Sequence, residues 1–403
     1  MSNLSRSRRT TLTLLVLLLL VAFAASIVCA AVAARVQARP SKLLIEGVPE
    51  KVIQLPPTRL AQVKAGKRVA DMQQLSQTYF VRNNVPFIRG RAGDEFELIS
   101  LDKMEYTPSQ PEIQQSQQLI GPVIKYRSWI FAEPITIEPI PDVVDHRPNQ
   151  TSIKDQNNRG TCVCFASMAG LEVAYGGGSL DLSEQFANYL YMTAESRGCK
   201  DAGLKTTDSA NYLQNDGVCL ESVCPYQNDK HNFPAYCNNA DTTAPAPPML
   251  TNAVANRPYK IKTYQKIWRK DNLATDTGTW INNPRYLESL LRAGKDIVFG
   301  THVAGWVSPY TGIIDVSLGS GGYPLPSVGG HAMLVVGYNR PQEYFIVKNS
   351  WGSSYGQSGY VYLSYDYIRT YAKYGYIINE VEPIPLTMIR PMLRAVPMIR
   401  SGD

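Results

Sequence analysis

Residues 141–380 predict an α+β chain in which helices come first and strands last, and two patterns carry that reading. An apolar face at helical spacing runs through Cys162–Tyr175, made by Phe165, Met168, Ala169 and Val173. From Ile297 onward short strand-like runs take over: Ile297–Phe299, Ala332–Tyr338, Tyr344–Lys348 and Tyr360–Ser364. Helical runs followed by strand runs are the order of an α+β domain. A third observation marks where this domain begins. Residues 35–140 are punctuated by proline and contain neither Cys nor His, and the texture changes at Pro141.

Composition narrows the function. The 403 residues include 24 Tyr, 10 Phe and 5 Trp, too many aromatics for a solvating, disordered chain. Seven Cys over that length are too sparse for a disulfide-framework scaffold. The net charge of +6 owes three charges to Arg6, Arg8 and Arg9, and no dense Lys/Arg run follows, so nucleic acid is not an expected partner.

Taken in order, residues 1–34 form an export signal. Leu12–Ala34 carries no charge, opens Leu-rich and ends Ala31-Val32-Ala33, with the three arginines before it. The small residues fit a cleavable signal peptide; the length also suits a signal anchor, which would tether the protein through residues 12–34. Both readings export the remainder, as a secreted, periplasmic or membrane-anchored protein with residues 35–403 outside the cytosol. Within 35–140, Leu60–Tyr79 predicts a helix through Val69, Met72, Leu75 and Tyr79, Glu95–Ser100 a short strand, and Ile120–Phe131 another. This region reads as a small domain, a linker or a propeptide. Further on, Leu182-Ser183-Glu184-Gln185 has the form of an N-cap with an acidic first turn. Tyr286, Leu287, Leu290 and Leu291 make a helical seam after Pro284. Residues 381–403 form a C-terminal tail, in which 387–403 interleaves Met, Ile and Arg.

The chemistry rests on a cysteine. A thiol nucleophile needs a base to ionise it, a group to orient the base, and donors for the oxyanion. Cys162 stands where the first helix begins, a place that favours thiolate. Gln156 precedes it by six residues. His331 opens a hydrophobic strand, and Asn349 follows eighteen residues later, placed to fix an imidazole tautomer.

The segment Ile153–Ala166, with Gln156 and Cys162, resembles the nucleophile motif of papain-like cysteine peptidases. Gly330-His331-Ala332 through Tyr338 is similar to that family's histidine strand. Phe345–Gly352, followed by Tyr355-Gly356 and Gly359-Tyr360, resembles its asparagine motif. The resemblance covers residues 141 to 380 and implies a papain-like fold of two subdomains, one mostly helical and one β-barrel-like, with a cleft between. It implies an endopeptidase made as a precursor, acting on proteins or peptides without metal or cofactor. Cys162 would be the nucleophile, His331 the general base and acid, Asn349 its orienter and Trp351 the shield over their bond. Gln156 and the Cys162 N–H would hold the oxyanion, Gly203 would pair with substrate backbone, and Ala332 would line a substrate pocket. Residues 35–140 lack the long helical motif of many family propeptides, so the expectation that they are an inhibitory propeptide covering the cleft in a non-productive direction rests on their position between the export signal and the catalytic domain.

There are departures from the family pattern. Val163, Cys164 and Arg159 replace the usual Trp, Ala and Cys, and Gly330 stands where Asp is usual; this fits a divergent, bacterial-type branch. An amidase or transpeptidase with the same triad is the alternative chemistry, and a catalytically silent tethered binding protein the alternative class. Export makes disulfides possible for Cys199, Cys219, Cys224 and Cys237; of their three pairings, Cys219–Cys224 with Cys199–Cys237 is expected. These cysteines lack the paired spacing of a zinc site, so no metal is expected.

Overall fold

The computed structural model describes residues 72–82, 85–90, 93–104, 108–114, 141–194, 204–227, 248–306, 312–319 and 322–385, apart from 272, 274 and 277. The leader, residues 120–131, Cys199, Gly203, Cys237 and the tail from 387 lie outside the described residues. Among the described residues, no helix is long and apolar enough to cross a membrane.

The N-terminal part of the described chain is a small antiparallel sheet. A short helix α1 (Met72–Thr78) ends as Tyr79 leaves it for β1 (Tyr79–Arg82), which pairs with β2 (Val85–Arg89) and then β3 (Glu95–Glu97). The expected helix over 60–79 is thus described only from Met72, and its last position is the start of a strand. A single turn, α2 (Leu101–Met104), follows. Phe96, Glu97, Leu98 and Ile99 are all buried, so the expected in–out alternation fails. Both faces of this segment are covered because it lies against the larger domain.

In that domain β4 (Val143–Asp145) is followed by four helices: α3 (Cys162–Ala174), α4 (Glu184–Ala194), α5 (Thr206–Asn215) and α6 (Pro248–Ala255). Helix α3 is buried along most of its length, which suits its run of small and apolar residues. Ser183 caps α4 by accepting the Phe186 N–H at 2.9 Å, as the Ser-Glu signature predicts. Next come β5 (Ile261–Trp268), α7 (Pro284–Arg292), β6 (Ile297–Val303) and β7 (Ile313–Ile314). The domain ends with β8 (Gly329–Asn339), β9 (Tyr344–Lys348), β10 (Tyr360–Ser364), α8 (Tyr365–Tyr371) and β11 (Ala372–Val381). The expected Tyr286, Leu287, Leu290 and Leu291 are the buried face of α7, which Asn283 caps.

One sheet gathers these strands in the order β5-β11-β6-β8-β9-β10-β7, with β4 added beside β8; β10 and β7 are parallel and every other pairing is antiparallel. Helices on one side and a curled antiparallel sheet on the other make the α+β, two-subdomain arrangement expected. Strand β8 is buried at ten successive positions because β6 and β9 pair with its edges while α3, α7 and α2 pack against it. A bulge between Val335 and Gly337 adds twist in the same strand.

One expectation is corrected. Cys219 and Cys224 are two separate buried thiols, not a disulfide. Their carbonyls both serve Ser183, accepting its N–H at 3.0 Å and its hydroxyl at 2.5 Å. Their sulfurs pack in the apolar core, where a thiol behaves as a small hydrophobe.

Candidate active site

Cys162 is the first residue of α3 and His331 the third of β8, and the helix start packs on that strand. The Cys162 thiol lies within hydrogen-bonding reach of the Ala332 backbone, one residue beyond the histidine. His331 Nε2 is 2.8 Å from Asn349 Oδ1, at the end of β9. The same oxygen accepts the Ser350 N–H at 2.9 Å. A backbone N–H can only donate, so this atom must be oxygen and not the amide nitrogen. His331 Nε2 must then carry the proton, which leaves the Nδ1 lone pair in the neutral ring as the basic site. Among the described residues Nδ1 has no hydrogen-bond partner.

Each of these groups is held by the backbone around it. Asn349 N–H donates to Gly359 O at 3.0 Å. Trp351 stacks on the His331 ring, centroids 4.3 Å apart, and Trp306 meets that ring edge-on at 6.3 Å. The two indoles therefore shield the His331–Asn349 bond from water. Gln156 is fully buried: its Oε1 accepts from Ser350 Oγ at 2.6 Å and its Nε2 donates to Arg159 O at 2.8 Å. An amide nitrogen carries two hydrogens, so this bond fixes the orientation of the second. Ala332 is fully buried and lines a small cavity with Phe165, Lys348 and Asn349.

Beneath this group a polar ladder joins the strands to α3. Lys348 Nζ donates to both the carbonyl and the hydroxyl of Thr151 at 2.9 Å, and the Thr151 hydroxyl donates to Glu172. Glu172 and Glu184 in turn take Lys154 Nζ at 2.9 and 2.7 Å. Burial lowers the Lys348 ammonium to about 8, against the pull of Glu172.

The sequence held no motif for the residues that lie over the thiol. Glu97 is 3% exposed, and its carboxylate repels a thiolate at Cys162, whose thiol burial already pushes up to about 12. Burial also lowers His331 to about 4, while the bond to Asn349 pulls the other way. Phe96 stacks on Trp351 at 4.8 Å and meets Tyr355 edge-on. Ile99 and Gly330 exchange two backbone hydrogen bonds of 2.7 Å. Met104 reaches Tyr374, whose hydroxyl donates to its sulfur at 3.3 Å. Cys162 and His331 are thus both fully buried, with Ile99 of the same chain paired to Gly330 beside His331.

Fold and thiol–imidazole–carboxamide geometry together define the class, a papain-like cysteine peptidase. The family model "Papain family cysteine protease" matches residues 140–376, more than half of the chain, and the chain belongs to that family. Among curated relatives it is 25% identical to ananain of Ananas comosus over 309 residues, which is 75% of this chain and 78% of that protein. It is 31% identical to chymopapain of Carica papaya over 53% of this chain and 51% of that protein. Among solved structures, xylellain, a cysteine protease from Xylella fastidiosa, is 23% identical over 71% of this chain and 95% of that one, with a TM-score of 0.48. The chain thus spans between half and four-fifths of the two curated relatives.

Proposed function

We propose that this protein is the exported precursor of a cysteine endopeptidase, with Cys162 as nucleophile, His331 as base and acid, and Asn349 as the residue that orients the base. The observation that carries this reading is the shared Asn349 oxygen, which sets the tautomer and leaves Nδ1 as the basic nitrogen. In the reaction the Cys162 proton passes to Nδ1 as sulfur bonds to the scissile carbonyl carbon. The oxyanion is held by the Cys162 N–H and the Gln156 amide. The proton then goes to the leaving amine as the C–N bond breaks. Water, deprotonated by the same nitrogen, releases the acid and restores the thiol.

Residues 35–140 are read as the latency segment, on the support of the contacts from Phe96 to Met104. The alignment to ananain runs over 309 residues, more than residues 140–403 contain, so it takes in part of this segment as well. Export rests on residues 12–34, and Gly203 keeps its expected place beside substrate backbone as part of this proposal. The test is hydrolysis of a denatured protein by the full chain before and after limited proteolysis near Pro141. Activity that appears on cleavage and is absent from Cys162→Ala supports the reading; an uncleaved chain that is fully active removes the latency part.

A further inference from the structure

We infer that Gly160, Gly329 and Gly330 form a notched docking face made for residues 97–104 of the same chain, with Met104 seated on Gly330; this rests on the latency reading above. None of the three has the left-handed backbone that calls for glycine: their φ values lie outside the positive range that other glycines of the chain adopt. The requirement is space. A Cβ on Gly330 would lie 2.2 Å from Met104 Sδ, 2.6 Å from its Cγ and 2.9 Å from its Cε. On Gly329 it would meet Leu98 Cβ at 2.8 Å, with Ile99 O and Pro86 Cγ at 3.0 Å. On Gly160 it would come within 2.4 Å of Glu97 Oε1 and 3.1 Å of Glu97 Cδ.

The nearest atoms at all three positions belong to the N-terminal segment and none to the peptidase domain. A methyl group there therefore crowds the docked segment and nothing closer in the domain itself. Retreat is blocked for most of the contacts. Ile99 O and Leu98 Cβ are main-chain or main-chain-fixed atoms, and Ile99 is tied to Gly330 by two hydrogen bonds. Met104 is fully buried, with its sulfur bonded to Tyr374. The docking face thus selects its occupant by shape: a strand that presents its backbone to Gly329 and Gly330, then a turn that returns an unbranched side chain to Gly330.

The test reads docking without relying on peptide hydrolysis. In the full chain, the rate of Cys162 carbamidomethylation by iodoacetamide at pH 7.5 is followed by peptide mapping. Overpacking by one methyl group predicts a rate about 10- to 100-fold above wild type in Gly329→Ala and in Gly330→Ala. In a Met104→Ala background, Gly330→Ala should add no further rise, because the atoms it would meet are gone. Should Gly330→Ala not fold, Gly329→Ala carries the test by the same readout. Unchanged rates in folded variants, or an equal further rise in the Met104→Ala background, overturn the inference. Variants that expose Cys162 yet hydrolyse no peptide uphold the docking face and overturn the peptidase reading instead.

Discussion

Replacing Phe96 with alanine separates the segment's grip on the site from the stability of the site itself. Phe96 is 3% exposed, stacked on Trp351 with ring planes 9° apart and set edge-on to Tyr355. Truncating a buried phenylalanine costs about 3–5 kcal/mol. The lower figure applies here, because Trp351 also packs on His331 and Trp306 and keeps those contacts. About 3 kcal/mol taken from docking raises the undocked fraction on the order of 100-fold. Carbamidomethylation of Cys162 by iodoacetamide in the full chain should accelerate by that factor if opening and closing are fast beside alkylation. The urea midpoint of the peptidase domain should move far less, since Phe96 belongs to the segment. A rate within twofold of wild type in a folded variant would refute the argument, because it would mean that the stack does not hold the segment over the thiol.

Other perturbations have equally definite outcomes. Cys162→Ala should abolish peptide hydrolysis while Cys164→Ala, buried beside Asn188, retains most of it; equal losses would sink the nucleophile assignment. Asn349→Ala should be milder than His331→Ala, since it misorients the base without removing it, and the two kcat values decide. Lys154→Met leaves Glu172 and Glu184 buried without their shared cation, and a loss of about 3–5 kcal/mol in urea unfolding is expected; under 1 kcal/mol would show the ladder to be slack. Burial holds His331 near 4 in the folded chain against about 6.5 unfolded, so the unfolded state binds the extra proton. The associated stability is whole above about 6.5 and is lost as pH falls toward about 4, roughly 3 kcal/mol in all. Urea midpoints at pH 7 and pH 4.5 should therefore fall further in wild type than in His331→Gln. Cys219 and Cys224, as free thiols, should both take up iodoacetamide after unfolding without reductant; protection of either would restore the disulfide.

What the sequence made legible follows from periodicity and spacing. Helix α3, the cap at Ser183, the α7 seam and strands β8 to β10 are carried by local patterns, and the structure places them within one or two residues of expectation, apart from three added at the start of β8. Strands β5 and β11 were missed for physical reasons. Lys262, Thr263, Gln265 and Lys266 break the apolar signal of β5, and Gly375 interrupts β11; their pairing with each other and with β6 makes them strands. Cys162, His331, Asn349, Gln156 and Trp351 were legible because each sits in a short motif, and the fold brings them together. Glu97, Leu98, Ile99 and Met104 were not, since nothing local marks a strand as one that will be covered on both faces. Even the departure at Gly330 was readable only as a difference; its close approach to Met104 is a tertiary fact.

On the proposed reading, latency and chemistry are two sides of one electrostatic condition. With burial pushing the Cys162 thiol up and the His331 imidazole down, the proton stays on sulfur and off Nδ1 under the segment. Burial is the largest cause of both shifts, and it acts in opposite directions because it disfavours an anion on sulfur and a cation on the ring alike. Lifting the segment relieves both at once. The start of α3 then favours thiolate, and the Asn349 oxygen favours imidazolium through Nε2. Nothing else needs to move, since Asn349 is held by Gly359 and Ser350, and Gln156 by Ser350 and Arg159, all within the peptidase domain. A segment that only blocked access would leave a charged pair waiting beneath it. This one sets the protonation state too, so a small thiol reagent that slips past residues 97–104 should still meet an unreactive sulfur, and alkylation of the full chain at neutral pH should be slow even with reagents far smaller than a peptide.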